Sequence, residues 1–228
     1  MDVDRDEVGM SRGIHRMTSV DRPPGAIPIG EDQVLKIQWD VIKEWEPAIH
    51  MWPFRMGPWM VGTAAGMTGL LSLNYVHRIL RLREFAKFSV FAATVPIPAF
   101  LTIILNTTMV TESIMLQNTQ CPVCLELRAA AIQLGTGFVQ PVGLAVFSTI
   151  MVASSKKYYQ LPPWHQPLAI VRELRKIMQP MHGLLTLLVT VNLFTAFNVA
   201  RFQMEKMPLI MEKLRSTGMS KLHVHNLK

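Results

Sequence analysis

One pair of residues has the spacing of a reactive or metal-binding motif: Cys121 and Cys124, separated by Pro122 and Val123. A Cys-x-x-Cys pair serves in thiol redox reactions or supplies half of a zinc site. Structural zinc takes four ligands, and the seven histidines are scattered along the chain, so we predict no metal site. The redox alternative normally needs a thioredoxin-like βα unit, which the sequence lacks. We therefore expect a local disulfide between the two cysteines, provided that their side of the membrane is oxidising.

The rest of the sequence shows no pattern that is typical of catalysis. It contains no phosphate-binding loop, no nucleophile paired with a base and no pair of carboxylates. We therefore predict that the protein is not an enzyme, with no catalytic residues and no cofactor. The long apolar stretches also hold no acidic residue near their centres, which argues against a proton pump or a proton-coupled transporter.

The composition is that of a membrane protein. Of the 228 residues, 50% are hydrophobic and only 17% are charged, against about 25% in an average soluble domain. The net charge of +7 fits basic loops between membrane helices better than nucleic-acid binding. Crossing a bilayer takes roughly 20 apolar residues, and four stretches qualify: about 59–80, 88–110, 129–154 and 181–200. We predict an all-α polytopic membrane protein with four transmembrane helices in a domain over residues 59–200.

The predicted domain is flanked by three segments of different character. Residues 1–30 are polar and acidic and predict a flexible arm. They show neither a secretory signal peptide nor an ordinary transit peptide. Any import of the protein into an organelle would therefore rely on internal signals. Residues 31–58 mix apolar and charged side chains at three- and four-residue spacing, which predicts a short amphipathic helix on the membrane or on a partner. Residues 201–228 form a basic tail.

The charges of the connections predict an orientation, although the two ends of the chain disagree about it. The first and third connections are basic and the second is not, which places the first and third on the matrix or cytoplasmic side. Both termini would then lie outside. Residues 1–50 carry six basic and ten acidic residues, which agrees, whereas residues 201–228 carry six basic and two acidic residues, which favours the inside.

Small, amide and basic residues mark the predicted contacts of the membrane domain. Glycines in the first and third spans permit close helix approach and predict packing faces or partner interfaces: Gly62, Gly66, Gly69, Gly135 and Gly137. Amides in or near the spans are expected to bond between helices: Asn74, Asn106, Gln133, Gln140, Asn192 and Asn198. Prolines inside the apolar stretches are expected to kink or break the helices: Pro96, Pro98 and Pro141. Basic loop residues are expected to contact anionic lipid or a partner, or simply to set the topology: Arg78, Arg81, Arg83, Lys156 and Lys157.

Several of these residues together resemble the transmembrane protein 126 family. The motifs run in order over about residues 60–200: Gly69-Leu70 with Asn74 and Arg78-Ile79-Leu80, then Ile97-Pro98-Ala99-Phe100-Leu101-Thr102, then Cys121, Cys124 and Arg128 with Gly135, Gly137, Pro141 and Leu144-Ala145, and last Tyr159-Gln160-Leu161-Pro162. Each motif is weak by itself, and their collinearity carries the resemblance. The N-terminal arm and the C-terminal tail show no clear match.

The resemblance implies a multi-pass protein of the mitochondrial inner membrane. Family members act in assembling the membrane arm of respiratory complex I, NADH:ubiquinone oxidoreductase, and none is known as an enzyme. The expected partners are membrane-arm subunits, other assembly factors and inner-membrane lipid such as cardiolipin, with no nucleic acid. Other functions stay open: a retained accessory subunit of the complex, a thiol redox protein that uses Cys121 and Cys124, and a small-molecule transporter.

Overall fold

The computed structural model describes residues 30–79, 87–117, 121–155 and 178–225, together with Arg172 and Arg175. Every regular element in these ranges is helical, which confirms the predicted all-α class. The α-helices are α1 (Glu31–Lys43), α2 (Trp52–Arg55), α3 (Gly57–Ile79), α4 (Lys87–Thr94), α5 (Pro96–Asn106), α6 (Glu112–Met115), α7 (Pro122–Ile132), α8 (Gln140–Ser155) and α9 (His182–His225). Short 3₁₀ turns lie at Ala48–Met51 and Gln179–Met181, and wider π-helical turns lie at Thr107–Thr111 and Gln133–Val139.

Three helical stretches in the described part of the chain are long and apolar enough to cross a membrane. They are Val90–Met115, Pro122–Val152 and Gln179–Ser216. These agree in place with the second, third and fourth predicted spans. The first predicted span forms helix α3, which has 23 residues but does not reach the same hydropathy. Its four glycines and its Thr, Ser, Asn and His residues lower the mean hydropathy of α3. That α3 also crosses the membrane therefore stays a prediction.

Helix α3 is the central element of the membrane domain. Twelve of its 23 residues are buried, and it packs against α4, α5, the π-helical turn Gln133–Val139 and α8. A helix with protein on several sides needs small residues more than it needs large apolar ones. This explains why α3 is the least hydropathic of the four predicted spans.

Proline interrupts the second helical stretch, as predicted, and a wider turn precedes the proline of the third stretch. The helix bends at Val95, between α4 and Pro96. Pro98 has no N–H to donate to the carbonyl of Thr94 four residues earlier, so this oxygen is freed. In the third stretch the π-helical turn Gln133–Val139 ends just before Pro141. A proline clashes with a regular helical turn before it, and the wider turn accommodates the ring.

The chain divides into two compact units, of which the larger is Trp52–Met204. Its core includes a cluster of Val76, Val146, Ile150 and Met181. Nearby, the hydroxyl of Tyr75 donates a hydrogen bond of 2.7 Å to the carbonyl of Pro180. These contacts join α3, α8 and the start of α9, so the third and fourth apolar stretches both lie against the central helix.

The smaller unit comprises Met1–Met51 and Glu205–Lys228, of which the structure describes α1 and the distal part of α9. Ile42 of α1 and Ile210 of α9 are fully buried. The Lys213 ammonium lies 4.4 Å from the ring centroid of Trp45, a cation–π contact. The segment predicted as a basic tail is helical and continues α9 as far as His225. Helix α1 forms within the segment predicted to be amphipathic, and its placement on a membrane stays a prediction.

Candidate functional site

A buried cluster of polar side chains joins three helical segments of the larger unit. The Gln133 amide nitrogen donates to Asn192 Oδ1 at 2.7 Å and to the Val61 carbonyl at 3.1 Å. Asn192 in turn donates from Nδ2 to Thr68 Oγ1 at 2.7 Å and to the Leu188 carbonyl. These bonds connect α3, the turn Gln133–Val139 and α9. For Gln133 and Asn192 they confirm the predicted interhelical bonding.

The cluster is a structural element rather than a reactive one. Gln133, Asn192 and Thr68 are at most 1% exposed, and amide and hydroxyl groups are neutral hydrogen-bonding groups. In a membrane such interhelical bonds contribute on average about 0.6 kcal/mol each, and up to about 1.7 kcal/mol. Leaving one of these buried groups unpaired costs more than the bond contributes. The cluster therefore selects one register of α9 on α3.

A second polar cluster repeats the arrangement farther along α9. Gln203 is fully buried; its Nε2 donates to the Pro53 carbonyl at 3.0 Å, and its Oε1 accepts a 3.3 Å bond from the Thr111 hydroxyl. Gln203 follows Asn192 by eleven residues, or three helical turns, so both amides lie on one face of α9. Hydrogen bonds therefore hold this face of α9 against the other helices at two places, three turns apart.

Two of the predicted interface glycines are covered by the chain's own second helical stretch. A Cβ on Gly69 would lie 2.5 Å from the Thr94 carbonyl oxygen, the oxygen that Pro98 leaves without a donor. A Cβ on Gly62 would clash with the Ile103 side chain. Both positions are in close contact with another helical stretch of the same chain. Because they face protein within the chain, we do not retain them as partner contacts.

The remaining glycines differ in their surroundings. A Cβ on Gly66 would make ordinary contacts of 3.6–3.8 Å with Ala99 and Val95. One on Gly137 would lie 2.5 Å from Gln133 Nε2, so this glycine makes room for the amide cluster. Gly135 has nothing within 4 Å of such a Cβ. Of the five predicted positions, Gly135 is the one that the described part of the chain leaves open.

Cys121 and Cys124 lie at the start of helix α7. Both are exposed and carry free thiols, so the disulfide stays a prediction. Cys121 is the N-cap residue, with Pro122 in the first helical position, and its Sγ accepts a 3.4 Å hydrogen bond from the Cys124 backbone N–H. A sulfur here takes the place of the oxygen that usually satisfies a free N–H at a helix start. The hydrogen bonds from the Cys124 thiol and from its backbone amide lower the pKa of Cys121.

Arg128 connects α7 to the preceding helix. Its guanidinium donates 3.3 Å hydrogen bonds to the Met109 carbonyl and to the Ser113 hydroxyl. Arg128 lies one helical turn after Cys124, so its positive charge is on the cysteine side of α7. The bonds fix the first turns of α7 against the end of the second apolar stretch.

The predicted basic contacts fall largely beyond the described residues. Arg78 is exposed at the end of α3. Arg81, Arg83, Lys156 and Lys157 lie outside the described ranges, as does the arm over residues 1–29. Their contacts with lipid or a partner therefore stay predictions.

Three members of the buried clusters carry no clear signal in the sequence: Thr68, Thr111 and Gln203. Threonines are common in apolar helices and carry no distinctive signal. Gln203 was assigned to the tail because Arg201 and Glu205 flank it. Its spacing of eleven residues from Asn192 was the available signal, since this spacing returns to the same helix face.

Comparisons with known proteins identify the chain's relatives. The family model of transmembrane protein 126 matches residues 39–212. A Drosophila melanogaster protein named Transmembrane protein 126 is 33% identical over 141 residues, which make up 61% of this chain and 63% of that protein. The match thus spans less than two thirds of the relative's length. No solved structure matches the chain. Because the family model covers most of the chain, this protein belongs to the transmembrane protein 126 family.

Proposed function

We propose that this protein is a non-enzymatic scaffold of the mitochondrial inner membrane that helps to assemble the membrane arm of respiratory complex I. Membership in the family supports the proposal, since the resemblance implies this role for family members. In this proposal α3 completes four transmembrane helices, and the basic connections face the matrix. Inner-membrane lipid such as cardiolipin lies against the basic residues.

The internal bonding of the bundle supports a scaffold. The clusters around Asn192 and Gln203 hold α9 in register through the chain's own hydrogen bonds. A bundle that is fixed by its own contacts can present its outer helix faces in a constant geometry to other membrane helices. In the proposal the bundle therefore binds hydrophobic subunits through its outer helix faces.

The open glycine is the position where we place such a subunit. Gly135 lies among exposed apolar side chains of the same helical stretch, and a partner helix could approach the backbone closely at a residue without a side chain. The exposed apolar neighbours are Ala131, Leu134 and Val139. In contrast to Gly62, no helix of the described chain covers this position.

The proposal is tested by purifying the tagged protein from mitochondria in a mild detergent. The complexes are separated on a native gel and identified by mass spectrometry. Migration with sub-complexes that contain membrane-arm subunits supports the assembly role. Presence in the full-size complex would instead identify a retained accessory subunit. Migration away from every respiratory subunit contradicts the proposal.

A pair of glycine variants tests the proposed contact. Gly135→Leu should reduce the recovered membrane-arm subunits several-fold while the amount of inserted protein stays constant. Gly183→Leu is the matched control, because Gly183 also has nothing within 4 Å of its Cβ position but lies at the start of α9. Equal recovery with both variants would remove Gly135 from the interface.

A further inference from the structure

The cysteine pair at the start of α7 has no part in the scaffold proposed above. Cys121 and Cys124 are exposed free thiols, and neither contributes to the buried polar clusters or to the packed glycine faces. Exposed thiols that only fill space are unusual, since unreactive cysteines are mostly buried. The pair therefore requires its own explanation.

The geometry makes the two cysteines unequal. Cys121 has extended backbone angles, φ −95° and ψ 107°, which place its sulfur over the first turn of the helix. There the sulfur meets the Cys124 N–H at 3.4 Å, one of the donors that a helix start leaves unsatisfied. The positive end of the helix dipole favours a thiolate at this position. Cys124 lies inside the helix as its third residue, so it does not occupy the capping position that Cys121 occupies.

Neighbouring groups strengthen the inequality. The largest influence that lowers the pKa of Cys121 is the hydrogen bond from the Cys124 thiol, followed by the bond from the Cys124 amide. The Cys121 sulfur lies 3.4 Å from the Cys124 backbone nitrogen, so the two cysteines are close neighbours at the helix start. Arg128 keeps the helix start in place through its bonds to Met109 and Ser113, so the arrangement is held from outside the pair.

We propose that Cys121 and Cys124 form a thiol–disulfide exchange site, with Cys121 as the attacking thiolate and Cys124 as the resolving thiol. The substrate class is an accessible disulfide, either glutathione disulfide or a disulfide within a peptide chain. This activity goes beyond the scaffold role and does not depend on it.

The exchange proceeds in two balanced steps. The Cys121 thiolate attacks one sulfur of the substrate disulfide; the substrate S–S bond breaks, a mixed disulfide forms on Cys121, and the leaving thiolate takes up a proton. Cys124 then loses its proton and attacks the Cys121 sulfur, which forms the internal disulfide and releases the second substrate thiol. The two cysteines lose two electrons in total, and the substrate disulfide gains them.

The experiment uses the full-length, reduced protein in detergent micelles with glutathione disulfide as the probe. Intact mass should show a loss of two hydrogens and no stable glutathione adduct in the wild type. Cys124→Ser should accumulate one adduct on Cys121, because the resolving thiol is missing. Cys121→Ser should form its adduct at least about threefold more slowly than Cys124→Ser.

Two further arms distinguish the substrates and the causes. A peptide with one internal disulfide runs in parallel, and the faster of the two probes identifies the source of the disulfide. Iodoacetamide labelling of the wild type from pH 5 to pH 9 should modify Cys121 at lower pH than Cys124. In Cys124→Ala, which removes the thiol donor, the labelling of Cys121 should move to higher pH.

Several results would overturn the proposal. These are failure to exchange with either probe, adducts on both cysteines of the wild type without an internal disulfide, or equal adduct rates in the two serine variants. Failure of the scaffold proposal is separate, because it is measured by recovery of membrane-arm subunits. The double variant Cys121→Ser/Cys124→Ser should keep that recovery while losing all exchange.

Discussion

Gly62 and Gly69 of α3 have the same sequence signature as Gly135 and Gly143 of the third apolar stretch, but a different structural role. Gly62 and Gly69 face the helix that follows them so closely that no side chain fits. Gly135 and Gly143 face open space within the described chain. A small-residue spacing therefore indicates that a close approach is permitted, and the neighbouring elements decide whether the chain itself makes it.

Gly62 and Gly69, here called the closed glycines, owe their tight contacts to the proline-containing second helical stretch opposite them. Pro98 leaves the Thr94 carbonyl without its helical donor, and this oxygen lies against Gly69. A bare Cα beside a freed carbonyl allows a close C–H···O contact, worth about 0.5–1 kcal/mol. The third stretch has Pro141 as well, but there the π-helical turn Gln133–Val139 accommodates the proline within its own helix.

Gly69→Ala should have the largest effect on the free energy of unfolding. The added methyl would lie 2.5 Å from a backbone oxygen, which cannot rotate away as a side chain can, so α3 and the helix opposite must separate. We expect a loss of about 3 kcal/mol in the free energy of unfolding, near the upper end for overpacking. Thermal unfolding of the purified protein in detergent measures it, with Gly183→Ala as the control. An unchanged midpoint would mean that the two helices are not in this contact.

The next effect tests whether Gly137 makes room for the amide cluster. Gly137→Ala places a methyl 2.5 Å from Gln133 Nε2 and 2.9 Å from Asn192 Oδ1. Gln133 must move and loses its bond to Asn192, at a cost of about 1–2 kcal/mol. In a Gln133→Ala background the two closest contacts of the methyl are gone and only the 2.9 Å approach to Asn192 Oδ1 remains, so the second substitution should cost clearly less than it does in the wild type. Additive costs in this double-mutant cycle would show that the two positions are independent.

Much of the fold could be predicted from the sequence because apolar length and charge distribution determine it. Three of the four predicted apolar stretches agree with the candidate spans, and the interruption at Pro96 and the wider turn before Pro141 follow from the missing N–H groups and the proline rings. The continuation of α9 to His225 was missed. Charged residues after Arg201 end an apolar stretch in the sequence, but they do not end a helix.

The site was less predictable because its parts meet across the chain. Gln133 and Asn192 were identified as polar residues in apolar surroundings, but their partner Thr68 is 124 residues from Asn192 and carries no signal of its own. The open and closed glycines were likewise indistinguishable in the sequence. Which neighbour covers a helix face is settled by long-range packing, and local patterns do not contain this information.

Gly66→Ala tests a position of α3 that lies between the two closed glycines, Gly62 and Gly69. Its added methyl would make contacts of 3.6–3.8 Å, which are ordinary packing distances. Alanine is a better helix former than glycine by about 0.5–1 kcal/mol, so this variant should raise the free energy of unfolding by that amount. The same thermal unfolding measurement applies. A lowered midpoint, as in Gly69→Ala, would place Gly66 among the closed positions.

Gly135→Ala should have the smallest effect on stability. Its methyl enters open space, so no packing contact is lost. Gly135 lies in the π-helical turn Gln133–Val139, where the α-helix propensity that favours Gly66→Ala does not apply in full, so we expect a change of less than about 0.5 kcal/mol in the free energy of unfolding. If Gly135 faces a partner, the variant should keep the wild-type unfolding midpoint in detergent while less of the membrane-arm subunits is recovered from mitochondria. Gly69→Ala should instead lower the midpoint. A lowered midpoint for Gly135→Ala would mean that the chain itself covers this face, and the difference between open and closed glycines would disappear.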